Sequence, residues 1–499
     1  MSTKHYFAMD YGASSGRGIL GHFDGMRIEL EEVGRFDNYY ISVNGLYYWD
    51  AFMLLHELKK ALLKAGQLTG GQIESIGIDT WGTDYGLLDK NGQLLGNARC
   101  MRNSDNRYVE KAGHKITAEE LYARTGIQTI PGNTLFQLYE KVLNHDTALQ
   151  NAQTLLMLPD LLSYFLTGET YAEYTIASTS MLYNPTLRSW DLELCRKLGI
   201  PEHLFCELLM PASRRIPLQD AVCEELGFRT SLVPVGSHDT ASAVAAAPLE
   251  KDMVFCSSGT WSLIGIETNE PVISERARRA NFSNEGTVTG GYRFLKNIMG
   301  MWILQQCRME WERAGIHLSW DEIVEQAKAA PRLVSLIDPE NLMFYQQGNM
   351  TKKIQTFCEK TGQKIPQTIG EIAICAYQSI ALRYRMAFAQ IEELTGKTCP
   401  ALCIVGGGSK NRLLNQMAAD AIGKPVYAGP VEAACVGNLL TQAIAAGDLG
   451  GYTDLRSVVR ASFEAETYLP QAQSAAQWKE TAARFSGVIE RFRAAEGRS

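Results

Sequence analysis

The chain is 499 residues long, with 45% hydrophobic and 21% charged residues and 44 glycines, a length that allows two or three packed units with sizeable cores. Together with a mean hydropathy of -0.14, that composition excludes a stapled mini-scaffold and a disordered chain. The net charge of -7 comes without any Lys/Arg-rich run, which excludes a phosphate-backbone footprint; no nucleic acid is expected as a partner, and any anionic ligand must be met by local groups.

The opening residues, Met1 to Asp10, carry too short an apolar run for a signal peptide, and no stretch approaches the roughly 18 apolar residues of a membrane span. A cytoplasmic protein without membrane contact is expected. Residues 6–10, 18–24, 28–35, 73–79 and 85–88 read as strands joined by turns. Between them, 51–63 places Met53, Leu54, Leu58, Ala61 and Leu62 at helical spacing, so a helix covers that sheet. Residues 115–230 are richer in helical pattern, at 121–125, 134–143 and 155–166, punctuated by Pro131, Gly132 and Gly168, and strand character resumes at 233–236.

A small-residue helix at 241–247 runs into Pro248, and 254–257 with 260–267 forms a second strand, turn and strand that echoes the opening. The domain boundary is expected there, dividing 1–247 from 248–499. The second half repeats the layout: helices at 298–314 and 369–395, a strand at 401–405, three glycines, a helix at 412–421, a strand at 425–428 and a helix at 436–446. Trp478, Ala482, Phe485, Ile489 and Phe492 then mark an amphipathic terminal helix that packs on the body. The eleven cysteines are odd in number and scattered, which reads as reduced core thiols; Cys399 and Cys403 lack the partners of a zinc site.

Four turns carry chemistry. In Asp10-Tyr11-Gly12-Ala13-Ser14-Ser15-Gly16-Arg17 a strand ends in a carboxylate, and a turn of small residues precedes an arginine. Backbone amides and the Ser14 and Ser15 hydroxyls suit phosphate oxygens, Arg17 adds a fork of positive charge, and Asp10 is placed to hold Mg2+ directly or through its waters. The stretch also spells the G-x-S-x-G of an esterase elbow, but the strand-like, glycine-punctuated sequence after it denies the nucleophile its helix.

Val233-Pro234-Val235-Gly236-Ser237-His238-Asp239-Thr240 presents a carboxylate where a buried strand breaks into a helix. Taken alone, Asp239 reads as a helix N-cap before it reads as a general base. A Ser237-His238-Asp239 hydrolytic triad is not expected, since consecutive side chains diverge and triad members normally come from separated loops. Cys256-Ser257-Ser258-Gly259-Thr260-Trp261-Ser262 and Val405-Gly406-Gly407-Gly408 are further turns open to a ligand. Two such turns in each half argue for a nucleotide held between paired α/β domains.

With Gly77-Ile78-Asp79-Thr80-Trp81-Gly82, Leu158-Pro159-Asp160 and Leu295-Lys296-Asn297-Ile298-Met299-Gly300 added in this order, the chain resembles the FGGY family of carbohydrate kinases, within the actin and hexokinase-like ATPase superfamily. The resemblance implies an α/β fold of two actin-like (ribonuclease H-like) domains, each a mixed sheet flanked by helices, with the active site in the cleft between them. The N-terminal domain would bind sugar and phosphate and carry the base, and the C-terminal domain would bind nucleotide. The implied reaction moves the γ-phosphoryl of ATP to the 1-hydroxyl of a ketose, L-rhamnulose, with L-fuculose as the alternative sugar and Mg2+ bridging the phosphates.

On this resemblance Asp239 becomes the catalytic base. Ala13, Ser14, Ser15, Gly16, Arg17, Thr260, Gln305 and Gly407 would line the ATP site, and Gly82, His238, Asp239, Thr240 and Asn297 would contact the sugar. Two departures from the wider family pattern stand out: Tyr11 in place of an aliphatic residue, and Thr134-Leu135-Phe136-Gln137-Leu138 without the usual Lys and Trp. An actin-like or chaperone-like ATPase would share the nucleotide turns but not the Trp81, Gly82 and Asn297 motifs, and a silent sugar sensor would usually have lost the base.

Overall fold

Strand Lys4–Tyr11 organises the N-terminal sheet: it pairs antiparallel with Ser15–Phe23 on one side and parallel with Ser75–Thr80 on the other. The structure, a computed structural model, describes residues 3–496. The sheet runs in the order Ile216–Pro217, Ser231–Leu232, Ser75–Thr80, Lys4–Tyr11, Ser15–Phe23, Ile28–Asp37. The central strands alternate nothing outward, because both faces are covered and Tyr6, Phe7, Met9, Ile76 and Ile78 are all buried.

Helix Ala51–Thr69 covers one face. Asp50 caps it by accepting the N–H groups of Phe52 and Met53, and Leu54, Leu58, Ala61, Leu62 and Ala65 form its buried stripe. Ala61 can sit against the sheet because residue 18 is glycine; a Cβ there would lie 2.7 Å from the Ala61 Cβ. On the other face lies helix Ala433–Ala445, where Gly77 admits Asn438: a Cβ at 77 would stand 2.2 Å from its Oδ1.

The chain divides into two compact units. The first takes the chain up to Pro248 with Glu267–Leu295 and Glu432–Glu464; the second takes Leu249–Ile266, Lys296–Val431 and the chain from Ala465 onward. Each is a mixed α/β layer, as expected. In the second unit, Val254–Ser258 pairs antiparallel with Trp261–Thr268 and parallel with Leu402–Val405, and Val426–Ala428 and Glu466–Tyr468 extend the sheet. Helix Ile369–Thr395 opens with a capping box between Thr368 and Glu371. The terminal helix Ala475–Glu496 buries Trp478, Phe485, Ile489 and Phe492, and Phe492 stacks on Phe357 with ring centroids 4.2 Å apart.

Two elements differ from the expected pattern. The helix expected at 155–166 begins at Leu158, because Thr154–Met157 is a strand paired with Tyr85–Leu88 and Pro159 suits a first helical turn. The helix expected at 298–314 is strand Tyr292–Met299 followed by helix Trp302–Arg313. A Cβ at Gly300, between them, would stand 2.4 Å from the Ser262 hydroxyl. All eleven cysteines are free thiols, ten of them buried and Cys206 half-buried. Among the described residues no helix is long and apolar enough to cross a membrane.

Candidate functional site

In the first unit, strand pairing brings Asp10, Arg17 and the sequence-distant Asp79 to one end of the sheet. Asp10 faces Arg17 in the antiparallel register and Asp79 in the parallel one. Arg17 donates its Nε to Asp10 Oδ2 at 3.0 Å, and its Nη1 pairs with Glu432. The Gly/Ser turn is braced from behind: Asn38 donates Nδ2 to the Gly12 carbonyl at 2.8 Å, leaving Ala13 and Ser14 exposed at the tip. Gly16 is required by packing, since a Cβ there would fall 2.1 Å from the Phe36 ring.

Asp79 is fully buried. Its Oδ2 accepts from Asn438 at 2.6 Å, while its Oδ1 has no hydrogen-bond partner. Burial and the neighbouring Asp10 carboxylate push its pKa well above the usual range. An unpartnered carboxylate oxygen beside a second carboxylate wants a proton or a cation, and one or two carboxylates with substrate phosphates is how Mg2+ is usually held. The Asp10 and Asp79 pair therefore fits a divalent cation, although no three His, Cys, Asp or Glu side chains among the described residues form a ready cage.

The segment carrying Asp239 is fixed through its backbone. Thr80 N–H donates to the Ser237 carbonyl at 2.9 Å, and the Glu173 carboxylate accepts Ser237 N–H at 3.1 Å. Helix Asp239–Ala245 starts with His238 as its cap residue, so Asp239 is the first helical residue rather than the N-cap. Its Oδ1 accepts the Thr240 N–H at 2.6 Å and the Thr240 hydroxyl at 3.2 Å. The surrounding protein raises its pKa, and Asp10 adds to the rise while His238 opposes it, yet 32% of its side chain is open to solvent. Such a carboxylate is a reachable, strengthened base. The Ser237 hydroxyl points back to the Val235 carbonyl, away from any triad.

Gly82 lies just beyond strand Ser75–Thr80, in a loop pinned by a residue the sequence did not single out. Asp84, buried and with its pKa pushed up to about 6 by desolvation, accepts both indole N–H groups, of Trp49 at 2.7 Å and of Trp81 at 2.8 Å, and Met101 N–H on its other oxygen. Thr83, at φ 75, takes a left-handed conformation there, and Gly82 abuts Thr179, whose hydroxyl would stand 3.1 Å from a Cβ.

In the second unit, the Thr260 carbonyl accepts Trp302 N–H at 3.0 Å, joining that turn to the helix whose first turn carries Gln305. Gly406, at φ 83, and Gly408 press on Ser258, whose hydroxyl would lie 2.1 Å from a Cβ at 408, while Gly407 is exposed with open space where a Cβ would be. Asn297 is half-buried on strand Tyr292–Met299.

Sequence reasoning missed four acidic groups that these contacts bring to the site: Asp79, Asp84, Glu173 and Glu432. Of these only Asp79 fell inside a motif already singled out. The rest reach the site through tertiary contacts that local pattern does not encode.

The FGGY family of carbohydrate kinases matches twice, its N-terminal domain over residues 5–246 and its C-terminal domain over 254–446. The chain is 40% identical to a rhamnulokinase of Bacteroides thetaiotaomicron, over 95% of this chain and 97% of that one, and 37% identical to one of Bacillus subtilis, over 93% and 95%. In fold it is similar to a xylulose kinase of Lactobacillus acidophilus, with a TM-score of 0.84 at 16% identity over 99% of each chain. A Plasmodium falciparum glycerol kinase structure with ADP gives a TM-score of 0.76 at 15% identity, over 98% of each chain. The chain belongs to the FGGY family of carbohydrate kinases.

Proposed function

We propose that this sugar kinase transfers the γ-phosphoryl of ATP to the 1-hydroxyl of L-rhamnulose, giving L-rhamnulose 1-phosphate and ADP, with Mg2+ as its metal. The observation that carries the reading is identity of 40% to a rhamnulokinase over 95% of this chain. Kinases of this family use ATP with a divalent metal.

Phosphoryl transfer passes through a loose transition state, so the protein contributes positioning and charge neutralisation more than covalent chemistry. Asp239 accepts the proton of the 1-hydroxyl as the phosphoryl group arrives. Gly82, His238, Thr240 and Asn297 hold the sugar. Ala13 to Arg17, Thr260, Gln305 and Gly407 hold the nucleotide. Arg17 keeps its Nε on Asp10, and the outer fork now occupied by Glu432 is what a phosphate would claim. A divalent cation held by Asp10, with Asp79 behind it, would neutralise phosphate charge.

The reading is tested by following ATP consumption with product analysis across L-rhamnulose, L-fuculose, L-ribulose and D-xylulose. L-rhamnulose should give the highest kcat/KM, with phosphate on the 1-hydroxyl. A higher value for another ketose would overturn the substrate assignment.

A further inference from the structure

Around His238, behind Asp239, lies a buried cluster whose other two members, Glu285 and Arg293, the reaction as described does not use. His238 is 6% exposed, Glu285 is 5% exposed and Arg293 is fully buried. Arg293 Nη2 stands 3.1 Å from His238 Nδ1, Glu285 Oε2 lies 3.4 Å from that same nitrogen, and Arg293 Nη2 and Glu285 Oε2 are 3.5 Å apart. The guanidinium is locked by a further bond from its Nε to the Gly286 carbonyl at 2.8 Å. Glu285 and Arg293 sit opposite one another in the hairpin register, so the hairpin itself aims both at the imidazole.

A guanidinium has five N–H donors and no acceptor. Its approach to Nδ1 at hydrogen-bond distance is favourable only when that nitrogen presents a lone pair, which places the ring proton on Nε2. The competing partner for Nδ1, Glu285, is the more distant of the two and has Arg293 to neutralise it. Nε2 in turn lies 3.5 Å from Asp239 Oδ1. That separation is long for a hydrogen bond, as such bonds often are before the reacting complex forms. Oδ1 already accepts the Thr240 N–H and hydroxyl, so three donors converge on one oxygen and Oδ2 is left to face substrate.

We infer that Arg293 fixes the tautomer of His238 so that its Nε2–H is directed at Asp239 Oδ1, making Arg293 and His238 positioning residues that reserve Oδ2 for the sugar hydroxyl. The catalytic consequence rests on Asp239 being the base; the tautomer does not. The other ionisable groups around the pair are Asp10 and Asp79 at the strand ends, which raise or share its field, and Glu173 and Tyr174, which face Arg293.

The test is multiple-bond 1H–15N spectroscopy of the full-length protein labelled at histidine nitrogens, with the His238 signals assigned by their loss in His238→Gln. The wild type should show an unprotonated Nδ1 and a protonated Nε2 at this ring; a protonated Nδ1 in the neutral ring overturns the inference without any variant. Arg293→Lys, which still offers only donors, should keep the pattern and most of the turnover. Arg293→Met, checked for folding by circular dichroism, should lose the pattern and lower kcat roughly 10–100-fold, the usual cost of losing the partner that orients a functional histidine, with the KM for ATP little changed. A folded Arg293→Met that keeps the wild-type pattern, or loses it at unchanged kcat, overturns the inference. Undiminished turnover in Asp239→Asn would instead remove the base reading and leave the tautomer assignment standing.

Discussion

A Cβ on Gly437 would stand 1.9 Å from the carbonyl oxygen of Ser242, so helix Ala433–Ala445 can cross helix Asp239–Ala245 this closely only with glycine at that point. The contact is backbone to side chain, with no flexible end to give way. It ties the first turn of the Asp239 helix to the helix whose Asn438 bonds Asp79 and whose Cys435 reaches Asp10.

Gly437→Ala must therefore push the Asp239 helix outward. Overpacking of this kind costs about 1–3 kcal/mol, and a small shift of a reacting group costs turnover out of proportion to stability. The expected outcome is a folded protein with a modestly lowered Tm and a kcat lowered more than tenfold. Thermal melts and steady-state rates on the same preparation check it.

Glu173 gives a pH dependence with a definite sign. Burial raises its pKa to about 7, although the Thr175, Ile176 and Ser237 donors oppose the rise. The folded value lies above the ordinary glutamate value of 4.5, so its contribution to stability is fully present below about pH 4.5 and is lost as pH rises through about 7. Glu173→Gln should lower the Tm at every pH, because donors now face an amide, and should narrow the Tm difference between acidic and mildly alkaline buffer. Melts of both proteins across that range decide the matter; an unchanged difference would mean Glu173 does not titrate there.

Arg17 and Glu432 make a paired prediction. Arg17→Ala should raise the KM for ATP while leaving sugar affinity near wild type, since its charge serves phosphoryl oxygens. Glu432→Gln, which releases the outer fork of Arg17, should leave the KM for ATP equal or lower. Parallel ATP titrations and sugar-binding measurements check both, and a loss confined to sugar binding in Arg17→Ala would contradict the assignment.

Asp84→Ala would leave the Trp49 and Trp81 indole N–H groups buried without a partner. Each such orphan costs about 1–3 kcal/mol, and the 81–84 loop carries Gly82. A lower Tm with a raised sugar KM and an ATP KM near wild type is expected, read from melts and two-substrate kinetics.

Much of this was legible in the sequence because it is written locally. The strand from Lys4 to Asp10, the turn of small residues and Arg17 fold as one hairpin, and the i+4, i+3 spacing from Trp478 to Phe492 does form a buried helical stripe. Residues 298–299 misled because an apolar pair at a strand end has no period of its own. The cap role for Asp239 failed by one position, since helix start signals locate a boundary only to within a residue or two. Glu285 and Arg293 lie about fifty residues downstream of His238, and Glu173 more than sixty upstream, in segments without any motif; only the folded hairpin and sheet show that they meet the Asp239 segment.

Asp239 is the group on which the proposed transfer depends, and the most direct measurement is the turnover of Asp239→Asn with ATP and L-rhamnulose, alongside calorimetric ATP binding and a thermal melt. Loss of general-base help should lower kcat roughly 10²–10⁴-fold, while ATP binds with near wild-type affinity and the protein stays folded. Turnover close to wild type from a folded Asp239→Asn would contradict the account.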